Sequence, residues 1–366
     1  MNILHILDGY YIGGVETQAY EIIKNYPKGN KSFLINTYSR IKDTQDRFIE
    51  LEKINKIKKI KNINAKFSVL IILEIFLFVK KNKIKNIIIY PSNKKMLYVV
   101  LAAKLAGINE IFMSLQNTLY KKKILNIFKI KIIFYLLNIL GVFFVPSSRA
   151  IVNSFSKSKI HLNKFKIIYN SCDFDYINLI STKIKKSNLK KNKIKNIVMI
   201  ARLDKIKDHE TLLKAYAKLK EPFWKLKIVG DGPNMNSLKK ISRKLLLNEE
   251  EIFYGPSNNI PLILGESDIF AFSTTEAEGF GKVLIEAMAA KVPIIASDVS
   301  ACREILFNGK GGILVAPKNI DEWTKNLRGL IKNKPKMRRI VDNSFLLKEF
   351  FNSKNIAHKW HQLLTK

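Results

Sequence analysis

Two glutamates with seven residues between them, Glu278 and Glu286, stand in the segment Ser273-Thr274-Thr275-Glu276-Ala277-Glu278-Gly279-Phe280-Gly281-Lys282-Val283-Leu284-Ile285-Glu286-Ala287-Met288. Gly279 and Gly281 open a predicted helix, whose free N–H groups at residues 279–281 favour an anion. Carboxylates beside such a helix end repel an anion unless they have another task. Accepting hydrogen bonds from sugar or ribose hydroxyls is one, because an ionised carboxylate takes two or more of them. A second segment, Ala201-Arg202-Leu203-Asp204-Lys205-Ile206-Lys207, carries a forked donor in Arg202 and a point charge in Lys207. Together they suit a diphosphate; taken alone they also read as two surface cations of a lysine-rich chain. Gly13-Gly14 precedes a third predicted helix start. It lets the backbone approach a ligand closely, although the spacing is not the dinucleotide fingerprint G-x-G-x-x-G. Gly230-Asp231-Gly232-Pro233 is a turn signature. The histidines His5, His161, His209, His358 and His361 form no nucleophile or metal constellation. Among them, His209 is expected to support its helix, and His358 and His361 to be structural.

Each of these segments follows a short apolar run. Strands are predicted over 2–7, 32–37, 86–90, 110–115 and 142–145, with helices over 15–25, 67–80, 94–106 and 121–140. Around 184–191 the pattern becomes polar, basic and poorly periodic, and 173–195 reads as a linker. The alternation then restarts. Strands are predicted over 196–200, 225–229, 251–254, 268–272, 293–296 and 312–315, helices over 208–219, 235–246 and 281–289, and a helical region from 320 onward. Short apolar runs alternating with amphipathic helices mean parallel strands with helices on both faces. The fold class is therefore α/β, with two Rossmann-like domains at 1–172 and 196–351, and a terminal helix at 352–366 that returns to the first. Ligands bind at the carboxyl ends of such strands, and the cleft between two such domains is the expected site.

The chain's 366 residues agree with two domains. A hydrophobic content of 47% excludes intrinsic disorder. The net charge of +34 is spread along the whole chain rather than gathered in a tail, so compositional drift accounts for it at least as well as a binding role does, and no nucleic-acid partner is expected. Only Cys172 and Cys302 occur, which excludes a disulfide scaffold and a cysteine-rich zinc site. The apolar stretches 67–79, broken by Glu74, and 132–145, carrying Asn138 and Gly141, fall short of the ~20 residues of a membrane span. No basic n-region or cleavage site follows Met1, so a cytoplasmic location is expected. The mixed basic and apolar run from Lys121 to Lys131 can lie against an anionic membrane, which makes a peripheral position at the inner face of the cytoplasmic membrane the expected variant.

The spaced segments, in order, resemble the retaining, nucleotide-sugar-dependent glycosyltransferases of family four, the glycosyl transferases group 1. Glu278 to Glu286 matches their E-x7-E motif. Gly13-Gly14-Val15-Glu16, Tyr169-Asn170-Ser171-Cys172-Asp173, Val229-Gly230-Asp231-Gly232-Pro233, Pro293-Ile294-Ile295-Ala296-Ser297-Asp298 and Gly311-Gly312-Ile313-Leu314-Val315 agree as well. The resemblance is close over 166–323 and looser before it. It implies a GT-B fold of two facing Rossmann-like domains. By resemblance, Arg202 and Lys207 hold the donor diphosphate and stabilise the leaving nucleoside diphosphate. Glu286 accepts from the donor ribose, and Glu278 orients the transferred sugar. The N–H groups of Gly279, Phe280 and Gly281 touch sugar or phosphate. Gly13 and Gly14 approach the diphosphate from the other domain, and the base, expected to be uracil, lies near Tyr254 and Gly255. A cationic clamp with a helix N-terminus can stabilise the leaving anion, so no metal and no cofactor are expected.

One departure stands out: many relatives carry a histidine where this chain has Gln116, which can bond an acceptor or sugar hydroxyl but cannot act as a base. The implied activity is transfer of a hexose or N-acetylhexosamine from a UDP-sugar to a growing surface glycan, such as capsule, lipopolysaccharide or a lipid-linked oligosaccharide. The alternatives are a sugar-nucleotide epimerase or phosphorylase on the same fold and, from another class, a basic protein that binds nucleic acid or membrane.

Overall fold

Runs of isoleucine, leucine and valine set the strands. In β1 (Asn2–Leu7) every residue from Ile3 to Leu7 is buried, and so is all of β4 (Asn86–Ile89). Strands buried on both faces belong inside a parallel sheet with helices on either side. The structure is a computed structural model and describes residues 1–7, 14–37, 45–63, 68–90, 96–119, 124–188 and 194–365. The chain divides into two compact units, one of Met1–Ser171 with Ser353–Lys366, the other of Cys172–Asn352.

In the first unit β1 is followed by α1 (Gly14–Lys24), β2 (Lys31–Asn36), α2 (Gln45–Lys53), β3 (Ile57–Asn62), α3 (Ser68–Lys81), β4, α4 (Met96–Leu105), β5 (Glu110–Leu115), α5 (Ile124–Ile139), β6 (Phe143–Pro146) and α6 (Arg149–Lys157). Its six strands run in the order β3-β2-β1-β4-β5-β6, all parallel. One core joins the sheet to α3, α4 and α5; another lies under α1 and α2. The sequence pattern does not show β3, because its alternation is filled with lysine: Lys58 and Lys59 are exposed, as suits an edge strand that must avoid pairing with a second sheet. His5 lies in the second core, its Nδ1 3.3 Å from the Tyr90 hydroxyl. Burial lowers its pKa to about 3, so it is a neutral core residue.

The second unit opens with α7 (Phe174–Asn188) and continues with β7 (Lys195–Ile200), α8 (His209–Leu219), β8 (Trp224–Val229), α9 (Met235–Lys244), α10 (Glu249–Ile252), β9 (Phe253–Gly255), α11 (Ile260–Gly265), β10 (Ile269–Phe272), α12 (Lys282–Ala289), β11 (Ile294–Ser297), α13 (Ser300–Ile305), β12 (Ile313–Val315), α14 (Ile320–Ile331), α15 (Lys334–Leu346) and α16 (Lys348–Phe351). The sheet order β12-β11-β10-β7-β8-β9, read from β9, repeats that of the first unit. The last helix, α17 (Ser353–Leu364), belongs to the first unit, where Ile356 and Trp360 enter the core against α1.

The linker reading of 173–195 needs correction. Residues 174–188 form a helix of the second unit, and 189–193 lie outside the described residues. Its buried face is Phe174, Ile177 and Ser181, a helical spacing hidden among lysines. Gly265 of α11 comes so near that a Cβ there would sit 2.8 Å from Ile184 Cβ. Lys185 donates to the carbonyls of Ala290 and Lys291, each at 2.8 Å, at the carboxyl end of α12. Burial, aided by Lys291 and opposed by Asp268, lowers its pKa to about 8. Among the described residues no helix is long and apolar enough to cross a membrane.

Candidate active site

The order shared by the two sheets reverses direction between β7 and β10, the place where open α/β sheets bind ligands. The loops that leave these two strands, 201–208 and 273–281, are bonded to each other. The Asp208 N–H donates to Ser273 O at 3.1 Å and the Thr275 N–H to Ile206 O at 3.1 Å. The Thr274 and Thr275 hydroxyls donate to that same Ile206 carbonyl at 3.2 and 2.8 Å. Behind the first loop, the Gly230–Pro233 turn presses directly on its backbone. A Cβ on Gly230 would meet Ala201 O at 2.0 Å, and one on Gly232 would meet Leu203 O at 2.4 Å. The two glycines are therefore required by close approach, and Leu203 N–H closes the contact on Asp231 O at 2.9 Å.

This stitching brings Lys207, which is partly buried, and the buried Glu278 together as an ion pair. Lys207 Nζ donates to Glu278 Oε2, and the Thr274 hydroxyl donates to the same oxygen at 3.2 Å. The ammonium also lies 4.7 Å from the centre of the Phe272 ring. Burial alone would raise the Glu278 pKa. The Lys207 charge and the bonds from Lys207, Thr274 and the Phe280 N–H outweigh it and hold the carboxyl below its usual range. Lys207 is thus tied to Glu278, not a free cation, and the Phe280 N–H is directed at that carboxylate.

Arg202 stands apart from this pair. Its side chain is 72% exposed, and its nearest acidic partner is Asp204 at 3.8 Å. It and Lys205 are the exposed cations of loop 201–208. Glu286, one turn into α12, pairs with Lys282 at 3.5 Å. Gly281 caps α12 with φ of 80°, in the left-handed region where glycine is the favoured residue. Gly279 is buried, and so is Phe280, whose ring meets Phe351 edge-on. Tyr254 in β9 is exposed, with Lys227 Nζ 6.0 Å from its ring centre, and the carbonyl of Gly255 accepts from Gly230 N–H at 2.8 Å.

Two of the expected residues belong to the first unit. Gln116, beyond β5, is held at both ends of its amide: Nε2 donates to Ser114 Oγ and Oε1 accepts from Asn170 Nδ2, both at 2.8 Å. Gly14 opens α1 and is exposed; Gly13 lies outside the described residues.

Two features escape the sequence reading. His209, read there as a helix support, is buried against this site. Its pKa is lowered to about 4, first by burial and then by Lys207. Its Nε2, Asp208 Oδ2 and Ser273 Oγ are buried without a hydrogen-bond partner. These orphaned atoms lie on two segments that the Asp208 N–H to Ser273 O bond joins, and sequence spacing carries no such signal. The second feature is Asp173-Phe174-Asp175, the chain's one Asp-x-Asp spacing. Asp173 Oδ1 accepts the Tyr176 N–H at 3.0 Å, at the start of α7, and Phe174 is buried between the two acids. Among the described residues no group of three His, Cys, Asp or Glu side chains is placed to hold a metal ion.

Two doubly wound sheets, with an acid–base pair at the switch point of the second, define the class: a GT-B protein. Residues 180–346 match the family model described as glycosyl transferases group 1. The N-acetylgalactosamine-N,N'-diacetylbacillosaminyl-diphospho-undecaprenol 4-alpha-N-acetylgalactosaminyltransferase of Campylobacter jejuni is 30% identical over 257 residues, 67% of this chain and 67% of that protein. An uncharacterized glycosyltransferase of Haemophilus influenzae is 30% identical over 187 residues, 50% of this chain and 53% of its own, so the chain spans about half the length of that relative. The crystal structure of Anabaena HepE in complex with UDP and glucose shares the fold, with a TM-score of 0.82 at 20% identity over 100% of this chain and 99% of that one. The chain belongs to the glycosyl transferases group 1 family.

Proposed function

We propose that the chain is a retaining glycosyltransferase that moves a hexose or N-acetylhexosamine from a UDP-sugar to a growing glycan. The observation that carries this reading is the Lys207–Glu278 pair at the switch point, with the exposed Arg202 on the same loop. A carboxylate kept ionised and fixed by three hydrogen-bond donors is suited to orienting sugar hydroxyls. Arg202 is free to fork onto a diphosphate, and Glu286 to accept from a ribose. In the reaction the bond from the anomeric carbon to the diphosphate breaks and one to the acceptor oxygen forms. The acceptor proton passes to the departing diphosphate, and the guanidinium of Arg202 balances the charge left there. No protein base is needed, which agrees with an amide at Gln116. The acceptor we propose is a lipid-linked or surface glycan, the chemistry that the Campylobacter relative's name describes. We further propose that the reaction runs without a metal and at the cytoplasmic side of a membrane.

The test is a panel of nucleotide-sugars, with and without a chelator, read by thermal shift and by hydrolysis, with the anomeric configuration of the product read by NMR. One UDP-sugar should stabilise the protein, the chelator should change nothing, and the configuration should be retained. A folded protein that no nucleotide-sugar stabilises overturns the reading.

A further inference from the structure

We propose that Asn170, in the first unit, is a positioning residue: by donating to the Gln116 amide oxygen it fixes which end of that amide a ligand meets. The proposal rests on the reading of Gln116 as a residue that bonds a sugar hydroxyl.

A glutamine side chain ends in an oxygen that accepts and an NH2 that donates, two ends of nearly equal size. Packing hardly distinguishes them, so the hydrogen-bond partners decide which lies where. Gln116 has a partner at each end. Its Nε2 donates to Ser114 Oγ and its Oε1 accepts from Asn170 Nδ2, both at 2.8 Å. The Ser114 hydroxyl can donate or accept, and so would bond either end. The Asn170 NH2 can only donate, and so selects the oxygen. The Gln116 NH2 is thereby held on the Ser114 side, with one of its hydrogens spent on Ser114. Reversing the pair is disfavoured by Asn170 itself, which is 5% exposed and has its Oδ1 buried without a partner. Turned over, Asn170 would bury its NH2 there and leave two donors bare in place of one acceptor. Each bare buried polar group costs stability, so the present orientation is the lower in energy.

The backbone keeps Asn170 in place. The Ile168 N–H donates to Pro146 O at 3.1 Å, at the end of β6, and the Ser171 N–H donates to Gln18 Oε1 at 2.7 Å, on α1. Gln18 and Ser171 are buried, so the segment is tied to the sheet on one side of Asn170 and to a helix on the other. Gln116 is half-buried and follows the buried residues Ile111–Leu115 of β5, at the carboxyl end of a strand, where open α/β sheets bind ligands. The bare Oδ1 makes Asn170 a poor choice for stability alone. Leucine has the same branched skeleton and buries no unpartnered oxygen; what it lacks is the donor that holds Gln116. A sugar oxygen that meets the Gln116 NH2 is held through a lone pair, and its own hydrogen stays free to leave for another acceptor.

The experiment has two arms on the full chain. In the first, isotope-labelled glutamine gives an NMR signal for the Gln116 NH2, identified by its loss in Gln116→Ala. Its hydrogens should show nuclear Overhauser contacts to residue 114 in the wild type, and still in Ser114→Ala, because Asn170 sets the orientation. In Asn170→Asp at about pH 9, where even a carboxyl raised by burial is ionised and only accepts, they should turn to residue 170. In the second arm, hydrolysis of the UDP-sugar that stabilises the wild type is followed. Asn170→Leu should melt no lower than the wild type and bind UDP as tightly, yet turn over about tenfold more slowly or worse. In the Gln116→Ala background the same substitution should slow nothing further, since Asn170 acts through Gln116. Gln116 hydrogens that face residue 170 in the wild type overturn the inference. So does an Asn170→Leu variant as fast as the wild type, or one slowed equally without Gln116. The spectra need no ligand, so they separate failure of this inference from failure of the proposed function.

Discussion

The two sheets share one strand order and differ in what is built around it. In the second unit the switch-point loops are bonded to each other, pressed from behind by the Gly230–Pro233 turn and locked by the Lys207–Glu278 pair. Its α11 and α12 lie beneath further helices. In the first unit the helices on the equivalent face carry leucine, isoleucine, phenylalanine and tyrosine into solvent. Topology fixes where a site can be. The layer outside the sheet decides whether that region becomes a rigid polar site or an open apolar surface.

The difference can be broken most severely at Glu278. Glu278→Gln leaves the partly buried Lys207 ammonium without a counter-charge. The expected loss is about 3 kcal/mol of stability in urea unfolding and about 100-fold or more in donor turnover. Gly230→Ala attacks the same rigidity without touching charge. With a Cβ 2.0 Å from Ala201 O, it should cost about 3 kcal/mol and lower donor turnover with it. Acid sharpens the contrast. His209 has a folded pKa of about 4 against an ordinary 6.5, so the unfolded chain takes up the proton first. Stability is then full above about pH 6.5 and falls as pH drops toward 4, by up to about 3 kcal/mol. His209→Asn should roughly halve the slope between pH 6.5 and 4 in a pH series of denaturation curves, because His5, lowered to about 3, contributes over the same range and on to lower pH. The smallest effect belongs to the open face. Leu73→Glu should change the stability of the protein by less than about 0.5 kcal/mol, since Leu73 is exposed and belongs to no core cluster.

Most of the frame was legible because apolar runs have a period. β1, β4, β7, β10 and β11 are short, unbroken and buried, and their sequence positions match the structure within a residue or two. Five short helices escaped, α2, α6, α10, α11 and α13, with too few turns to show a period, as did two elements whose periodic residues are diluted by lysine, β3 and α7. The second of these reads as a linker because only Phe174, Ile177 and Ser181 mark its buried face. At the candidate site the residue types were readable, but their pairing was not. Spacing sets Lys207 beside Arg202 as a second cation and gives no sign of its contact with Glu278, which the bonds between loops 201–208 and 273–281 create. The buried, unpartnered polar atoms of Asp208, His209 and Ser273 lie on segments joined by the same contact, which no local pattern records.

The central proposal is that the second unit's switch point, with Arg202 among its exposed cations, holds a nucleoside diphosphate. Calorimetric titration of UDP into the wild type and into Arg202→Ala tests it most directly. Because Arg202 is exposed and packs on nothing it would destabilise, the variant should keep the wild-type melting temperature and lose about 10- to 100-fold in affinity. A wild type that binds no UDP, or a variant that binds it equally well, contradicts the account.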